Sequence, residues 1–380
     1  MRDTAGMTDV VICGAGPAGT MAAVILARAG VRVRLLDRAR FPREKLCGDT
    51  LNPGALAVLA RHGLLEATRS AVPISGMVVT DAAGVRVEGA YGDAITGRSL
   101  PRTVLDLALL RAAAAAGAAI DEGQLVRAPR RQGGRVTGVV VAGRNGADLP
   151  LEATLTIAAD GASSRLARAL SLAHHARRPR RWAAGAYFDD VAGMSGYGEM
   201  HVRPQGYIGV APLPDGLANA CVVTADRPAA ARPEALLEDT LRRDPVLAGR
   251  FARARRVTRV VCLGPLAVES SGCGVPGLVL AGDSAGFIDP MTGDGLHFAL
   301  RGAELAAAEV IDALAHGRTD AHVRLAAARR REFTRKWMFN RALRSLVGSP
   351  LAVRAAALGA RWSPGWVHQT IRYAGDLRAA

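Results

Sequence analysis

Three acidic residues, Asp37, Asp160 and Asp283, each close a short apolar run, and the last two stand beside glycines. An acid so placed can accept hydrogen bonds from sugar hydroxyls, and a neighbouring glycine lets a ligand come close to the backbone. The first set is the most complete. Asp9-Val10-Val11-Ile12-Cys13 runs into Gly14-Ala15-Gly16-Pro17-Ala18-Gly19, helix-forming residues follow, and the apolar run Val31 to Leu36 ends in Asp37. Strand, glycine turn, helix, strand and acid in this order form a dinucleotide-binding fingerprint. Gly14 permits the turn, Gly16 admits a pyrophosphate, and Gly19 lets the helix lie close to the strand. The diphosphate would rest on N–H groups at the helix N-terminus, where the dipole contributes roughly 0.3–1 kcal/mol per charge at an exposed site.

The second set is Ile157-Ala158-Ala159-Asp160-Gly161-Ala162-Ser163-Ser164. The third runs Leu278-Val279-Leu280-Ala281-Gly282-Asp283-Ser284-Ala285-Gly286-Phe287-Ile288-Asp289-Pro290-Met291-Thr292-Gly293-Asp294-Gly295. Asp283 is placed to hold a ribityl or ribose hydroxyl. A helix starting near Gly293–Gly295 would aim its N–H groups at an electron-rich ring, a means of stabilising an anionic reduced flavin. Either acid alone is commonly a cap or turn residue. The ordered set of three points to FAD.

These sites need elements to carry them. Residues 9–37 read as a β-α-β unit, 38–54 as a polar, turn-rich loop, and Pro53 to Arg61 as a helix. Alternation over 74–100 predicts antiparallel strands. A helix from Thr103 to Ala116 ends at a capping Gly117. Residues 120–158 read as a meander, 182–225 as a second strand-rich block, 230–256 as charged helix, and Leu278 to Ala281 as a buried strand. A long helix covers Gly295 to His316, and the Arg-rich remainder is helical. The fold class is therefore α/β: a Rossmann-like FAD-binding domain with an inserted antiparallel-sheet substrate domain and a helical C-terminus. The FAD-binding parts are 7–73, 101–175 and 260–318, the substrate sheet is 74–100 and 176–259, and the C-terminal helical segment is 319–380.

The chain has 380 residues, enough for two or three structural units at ~150 residues per domain. Its net charge is +15, carried almost wholly by arginine. The arginines are scattered and only 4% of residues are aromatic, so the stacking platform of a nucleic-acid binder is missing. The five cysteines, an odd number without a C-x-x-C pair, argue against a disulfide framework or a zinc site and point to the cytoplasm. The expected state is cytoplasmic, with peripheral membrane contact as the only membrane role. The surface suggested for it is 320–380, with Arg324, Arg329, Arg330, Arg331, Arg335, Lys336, Trp337, Trp362 and Trp366.

With these motifs the chain resembles the geranylgeranyl-reductase family of FAD-dependent oxidoreductases, in the p-hydroxybenzoate-hydroxylase fold superfamily that also holds flavin monooxygenases. Phe41-Pro42-Arg43-Glu44-Lys45-Leu46-Cys47-Gly48-Asp49 is similar to that family's Pro-Arg-x-Lys-x-Cys-Gly loop, and the Gly282–Gly295 stretch to its flavin-binding motif. Ser164-Arg165-Leu166-Ala167-Arg168 follows its Ser-x-x-Ala-basic continuation. The resemblance implies FAD, with NAD(P)H or another external electron donor, the latter allowing an electron-donor protein. It implies a lipophilic substrate of isoprenoid, quinone or polyketide type. It implies a cofactor site of Gly14, Gly16, Ala18, Gly19, Asp37, Arg38, Cys47, Gly48, Arg102, Val126, Asp160, Gly161, Gly282, Asp283, Pro290, Gly293 and Gly295. Arg102 and Asp106 fall in the family's Arg-x-x-x-Asp helix, and Cys47 and His297 are the catalytic candidates. A packed helix residue is the plainer role for His297, and a small buried apolar group the plainer one for Cys47. Aromatic hydroxylases of this fold carry Arg, His and Asn where this chain has Ala167, Gly286 and His297. The reductases' Tyr-x-Trp-x-Phe-Pro stretch reads here Tyr207-Ile208-Gly209-Val210-Ala211-Pro212, which predicts a wider or differently shaped pocket. Two activities follow. One is reduction of a C=C bond by hydride from flavin N5. The other is hydroxylation of an aromatic, quinol or polyketide ring by a monooxygenase.

Overall fold

The computed structural model describes residues 8–143, 145–175, 180–287, 291, 293–347 and 364–377. Its first sheet is built on a parallel ladder in the order Leu278–Leu280, Asp148–Ala158, Thr8–Cys13, Val33–Asp37, Ala119–Glu122. Successive side chains on these strands enter opposite cores. Val10, Ile12, Leu35, Ile157 and Val279 pack among the helices on one face. Val11, Cys13, Leu36, Ala158 and Leu280 meet Val136, Val139 and Val141 of an antiparallel meander on the other. With both faces covered, the central run Val10–Cys13 and the strand Leu278–Leu280 are unbroken apolar runs rather than alternating ones. The meander is Val126–Gln132, Arg135–Ala142 and the first half of Asp148–Ala158. Ala119–Glu122, expected in it, instead closes the parallel sheet beside Val33–Asp37.

The second sheet runs in the order Arg255–Arg256, Trp182–Asp189, Ala218–Thr224, Gly206–Pro212, Tyr197–Arg203, Gly76–Thr80, Arg86–Ala90. Val261–Leu263 also pairs with Ala183–Gly185, so this sheet continues past residue 259. The strands expected from 74–100 divide. Gly76–Thr80 and Arg86–Ala90 join the second sheet, whereas Gly97–Ser99 pairs with Thr50–Leu51 and Val72–Ile74 in a small sheet of its own.

The charged helix expected over 230–256 stops early, at Arg243. Asp244 precedes Pro245, which disfavours helical backbone at Asp244 and leaves it extended at ψ 128. Its carboxylate then accepts from Val246 N and Leu247 N at 2.9 and 3.1 Å, fixing a turn instead. The helix Arg102–Ala115 lies within a residue of expectation, and Gly295–His316 matches it and ends at the left-handed Gly317. Ala321–Val347 and Pro364–Ala374 make the helical C-terminal segment. Among the described residues no helix is long and apolar enough to cross a membrane.

Candidate functional site

The glycine turn after the first strand is shaped by close approach. A Cβ on Gly14, whose φ is +102°, would stand 2.4 Å from Ala159 O, and one on Gly19 would stand 1.8 Å from Gly14 O. A Cβ on Gly16, by contrast, would meet only the Arg43 guanidinium, at 3.4 Å, in the opening above the turn. Gly16 caps the helix Pro17–Arg28 with no side-chain bond, and the first turn holds no acid. The leading N–H groups are thus left for an anion. Asp37 braces the turn, accepting from Ala15 N at 2.7 Å and Ala39 N at 2.8 Å.

This turn opens into a cavity of ≈ 920 Å³ between the two sheets. Gly14, Gly16, Ala18, Asp37, Arg38, Cys47, Gly48, Arg102, Val126, Asp160, Gly161, Gly282, Asp283, Gly293 and Gly295 all line it. Gly19 stands behind the wall as a packing residue. Pro290, with Thr292 and the Ile288-Asp289 pair, lies outside the described residues. His297 is the exception. It does not line the cavity; its Nδ1 lies 2.8 Å from the Asp376 carboxylate in the C-terminal segment. At the start of a helix, only one face can look into the cavity. Gly295, Leu296 and Ala299 take it, which turns His297 away. The expected proton donor is therefore not at the site.

Positive charge gathers on the cavity wall beside the glycine turn. Arg102 donates to both oxygens of Asp106 at 2.8 Å, and Arg43 reaches the same carboxylate at 3.2 Å. Asp106 is fully buried, so two guanidiniums share one acid and leave one positive charge over. Lys45 adds a third cation, whose ammonium is held below its ordinary value by burial and by the charge of Arg102. Arg43 and Lys45 also line the cavity, although only their loop, not their charge, was legible as a binding motif. A surplus of positive charge at the cavity wall, beside free helix N–H groups, suits the diphosphate of FAD.

The far wall is the second sheet. Gly185, Cys221, Gly209 and Met200 stand side by side across four strands. Tyr187, Asn219 and Ala211 form the next row. Leu46 packs onto the first row so tightly that a Cβ on Gly185 would stand 2.7 Å from its Cδ1. A Cβ on Gly209 would meet nothing nearer than Cys221 O at 4.0 Å. The loss of bulk at Gly209 and Ala211 thus leaves open space in the wall, both residues lining the cavity.

Cys47 lies between these walls. Burial pushes its thiol up, against the pull of the nearby Arg102 charge, so the sulfur keeps its proton at neutral pH. Its loop is tied to the sheet by Asn219, whose Nδ2 donates to Cys47 O at 2.6 Å and to Asp49 Oδ2 at 2.8 Å. Asp49 is 1% exposed, and burial raises its carboxyl to about 7 against hydrogen bonding from Tyr187 and the charge of Arg102. Asn219 was not anticipated, though one signal for it exists. A lone amide inside the apolar strand Ala218–Thr224 is a polar group at a core position and needs a partner.

The basic C-terminal face also changes. Arg329 and Lys336 are 3% and 6% exposed and point inward, and Arg324 is paired with Glu309 at 2.7 Å. Arg329 and Lys336 are therefore no part of an exposed basic surface. Arg330, Arg331 and Arg335 remain exposed, Trp337 packs on Phe333 at 5.9 Å, and Trp362 with the Trp366 side chain lies outside the described residues.

Comparison with known proteins gives this cradle its context. Residues 7–264 match the FAD binding domain family. The menaquinone reductase of Mycolicibacterium smegmatis is 33% identical over 316 residues, 79% of this chain and 75% of that protein. Digeranylgeranylglycerophospholipid reductase 2 of Methanothermobacter thermautotrophicus is 29% identical, over 82% of this chain and 80% of its own. Among solved structures, a geranylgeranyl bacteriochlorophyll reductase-like protein from Thermoplasma acidophilum shares the fold. It has a TM-score of 0.78 and 22% identity over 98% of this chain and all of that one. With the glycine turn, the surplus of positive charge and the three acids facing one cavity, the chain belongs to the FAD binding domain family and is an FAD-dependent oxidoreductase.

Proposed function

We propose that the chain reduces a C=C bond of a lipophilic molecule carrying an isoprenoid chain or a quinone ring. FAD, when bound and reduced by an external donor, supplies the hydride. The observation that carries the reading is the open strip at Gly209 and Ala211, among apolar lining side chains, in the sheet that the Leu46–Cys47 loop packs against. Met77, Met200, Tyr207, Val223, Val261, Leu263 and Leu266 supply most of the remaining wall on this side. Such a surface removes an alkyl or prenyl chain from water at roughly 25 cal/mol per Å².

The protein's own groups divide the work. Gly14, Gly16, Asp37 and Arg43 hold the nucleotide half, and Asp283, Gly293 and Gly295 hold the flavin half. Cys47 keeps a proton at Sγ at the edge of the substrate space, where the carbon next to the one that accepts hydride is left with the electron pair of the broken C=C bond and needs one. The relatives named for menaquinone and for digeranylgeranylglycerophospholipid support the substrate class. A peripheral contact with a membrane would bring such a substrate to the cavity, and the exposed Arg330, Arg331 and Arg335 face is its proposed place.

The test is a single turnover without oxygen. The FAD-loaded chain is reduced chemically, freed of reductant, and mixed with menaquinone or a geranylgeranyl lipid. Oxidation of the flavin together with a product two hydrogens heavier is expected. No product under anaerobic conditions, with an oxygenated product once air is admitted, would overturn the reading in favour of a monooxygenase.

A further inference from the structure

The long helix Ala321–Val347 shows the core Leu325, Arg329, Phe333, Lys336 and Asn340, a regular inward stripe in which two of five residues are cations. An ammonium buried to this degree needs full compensation. For Lys336 it comes from two directions. Nζ donates to the carbonyls of Tyr373 and Ala374 at 2.7 and 2.8 Å and lies 3.0 Å from Asp376 Oδ1, all in the C-terminal segment. On the other side it lies 3.4 Å from Asp294 Oδ1.

Asp294 is the residue before the helix Gly295–His316, between Gly293 and Gly295 of the cavity wall. An aspartate there caps its own helix when its backbone is extended, whereas Asp294 stands at φ −83° and ψ −6°. This one makes no such bond. Its carboxylate, 2% exposed, is drawn away by Lys336, by Asn52 Nδ2 at 3.1 Å and by Asn340 Nδ2 at 2.9 Å. Asn52 also donates to Asp376 Oδ2 at 2.8 Å, and Gly54 N to Gly375 O at 3.0 Å, so the tail is bound to the same place.

We propose that Lys336 and Asp376 are positioning residues for the flavin end of the cofactor site. Through Asp294 they keep the first N–H groups of the Gly295–His316 helix free to face the isoalloxazine. The C-terminal helix Pro364–Ala374, far beyond the residues that match the FAD binding domain family, is by this reading part of that site. When Lys336 is lost, the Asp294 carboxylate turns to its own helix and competes with the ring for those N–H groups.

ADP separates this from simple loss of structure, because it carries the adenosine and diphosphate half of FAD without the ring. The full chain is stripped of flavin, and the dissociation constants of FAD and of ADP are measured by titration calorimetry. Lys336→Met is expected to weaken FAD about tenfold or more while ADP changes by less than about twofold. Adding Asp294→Ala, which cannot cap, is expected to recover most of the loss. If Lys336→Met does not fold, Asp376→Asn carries the same comparison, since it removes one of the ammonium's partners. FAD affinity unchanged, equal losses of FAD and ADP, or no recovery with Asp294→Ala would each overturn the proposal.

Discussion

Asp49→Asn tests the polar joint between the Cys47–Asp49 loop and the second sheet. The carboxylate is 1% exposed, its residue sits at a left-handed φ of 57°, and its Oδ1 has no hydrogen-bond partner. Burial lifts this carboxyl from 3.8 to about 7, with Tyr187 and Arg102 opposing. The folded chain therefore holds a proton that the unfolded chain releases near pH 4, and stability falls as pH rises from there through about 7. The full effect is roughly 4 kcal/mol, and the share falling between pH 5 and pH 8 is about 2.5 kcal/mol. Asparagine has the same shape and no charge, so the variant escapes that loss. In thermal melts at the two pH values, the melting temperature of Asp49→Asn relative to wild type is expected to rise by roughly 2–5 °C from pH 5 to pH 8 in a chain of this size. A difference that is the same at both values, or that favours wild type at pH 8, would refute the reasoning, because it would mean the carboxylate is ionised and well solvated when folded.

Two further substitutions probe the substrate wall and the frame. Gly209→Trp puts a ring into space where only Cys221 O approaches, at 4.0 Å. FAD binding should be unchanged, while kcat/KM for a long isoprenoid substrate falls roughly ten- to a hundredfold, a steric cost of about 1.4–2.7 kcal/mol; an unchanged kcat/KM would place the substrate elsewhere. Glu304 works against its burial and is held at about 2 by hydrogen bonds from Arg61, Arg301 and His62, which ties the helix Pro53–Arg61 to Gly295–His316. A lowered carboxyl stabilises above its unfolded value and loses that contribution as pH falls toward 2. Glu304→Gln should thus cost about 1–3 kcal/mol at pH 7, discounted for partial solvent contact, with the gap to wild type closing between about pH 4.5 and pH 2. A gap independent of pH in urea titrations would contradict the assignment.

What could be read before the structure was whatever chemistry writes in consecutive residues. The glycine turn, Asp160 and Asp283 are local signals, since each needs a glycine or an acid at a fixed distance from a buried strand, and all of them reach the one cavity. The open space beside Gly209 was legible for the same reason: a residue without a side chain is visible in a sequence. Side-chain direction on a helix was not. His297 follows Gly295 by two residues, and that offset of about 200° carries it from the cavity to Asp376, 79 positions on. Arg329 and Lys336 show the opposite failure. Charge read as part of a membrane-contact surface lies inside, because the partners of Lys336 are Asp294, Asp376 and the backbone carbonyls of Tyr373 and Ala374, none of them near in sequence. A lysine is expensive in a core only while its partners are unknown. Four residues spaced at helical intervals, Leu325, Arg329, Phe333 and Lys336, share one inward face, and two of them are apolar. The stripe is therefore the usable signal: a cation that falls on the apolar side of a helix should be asked which buried acid it answers, and here the answer stands at the start of the helix that bounds the cofactor cavity.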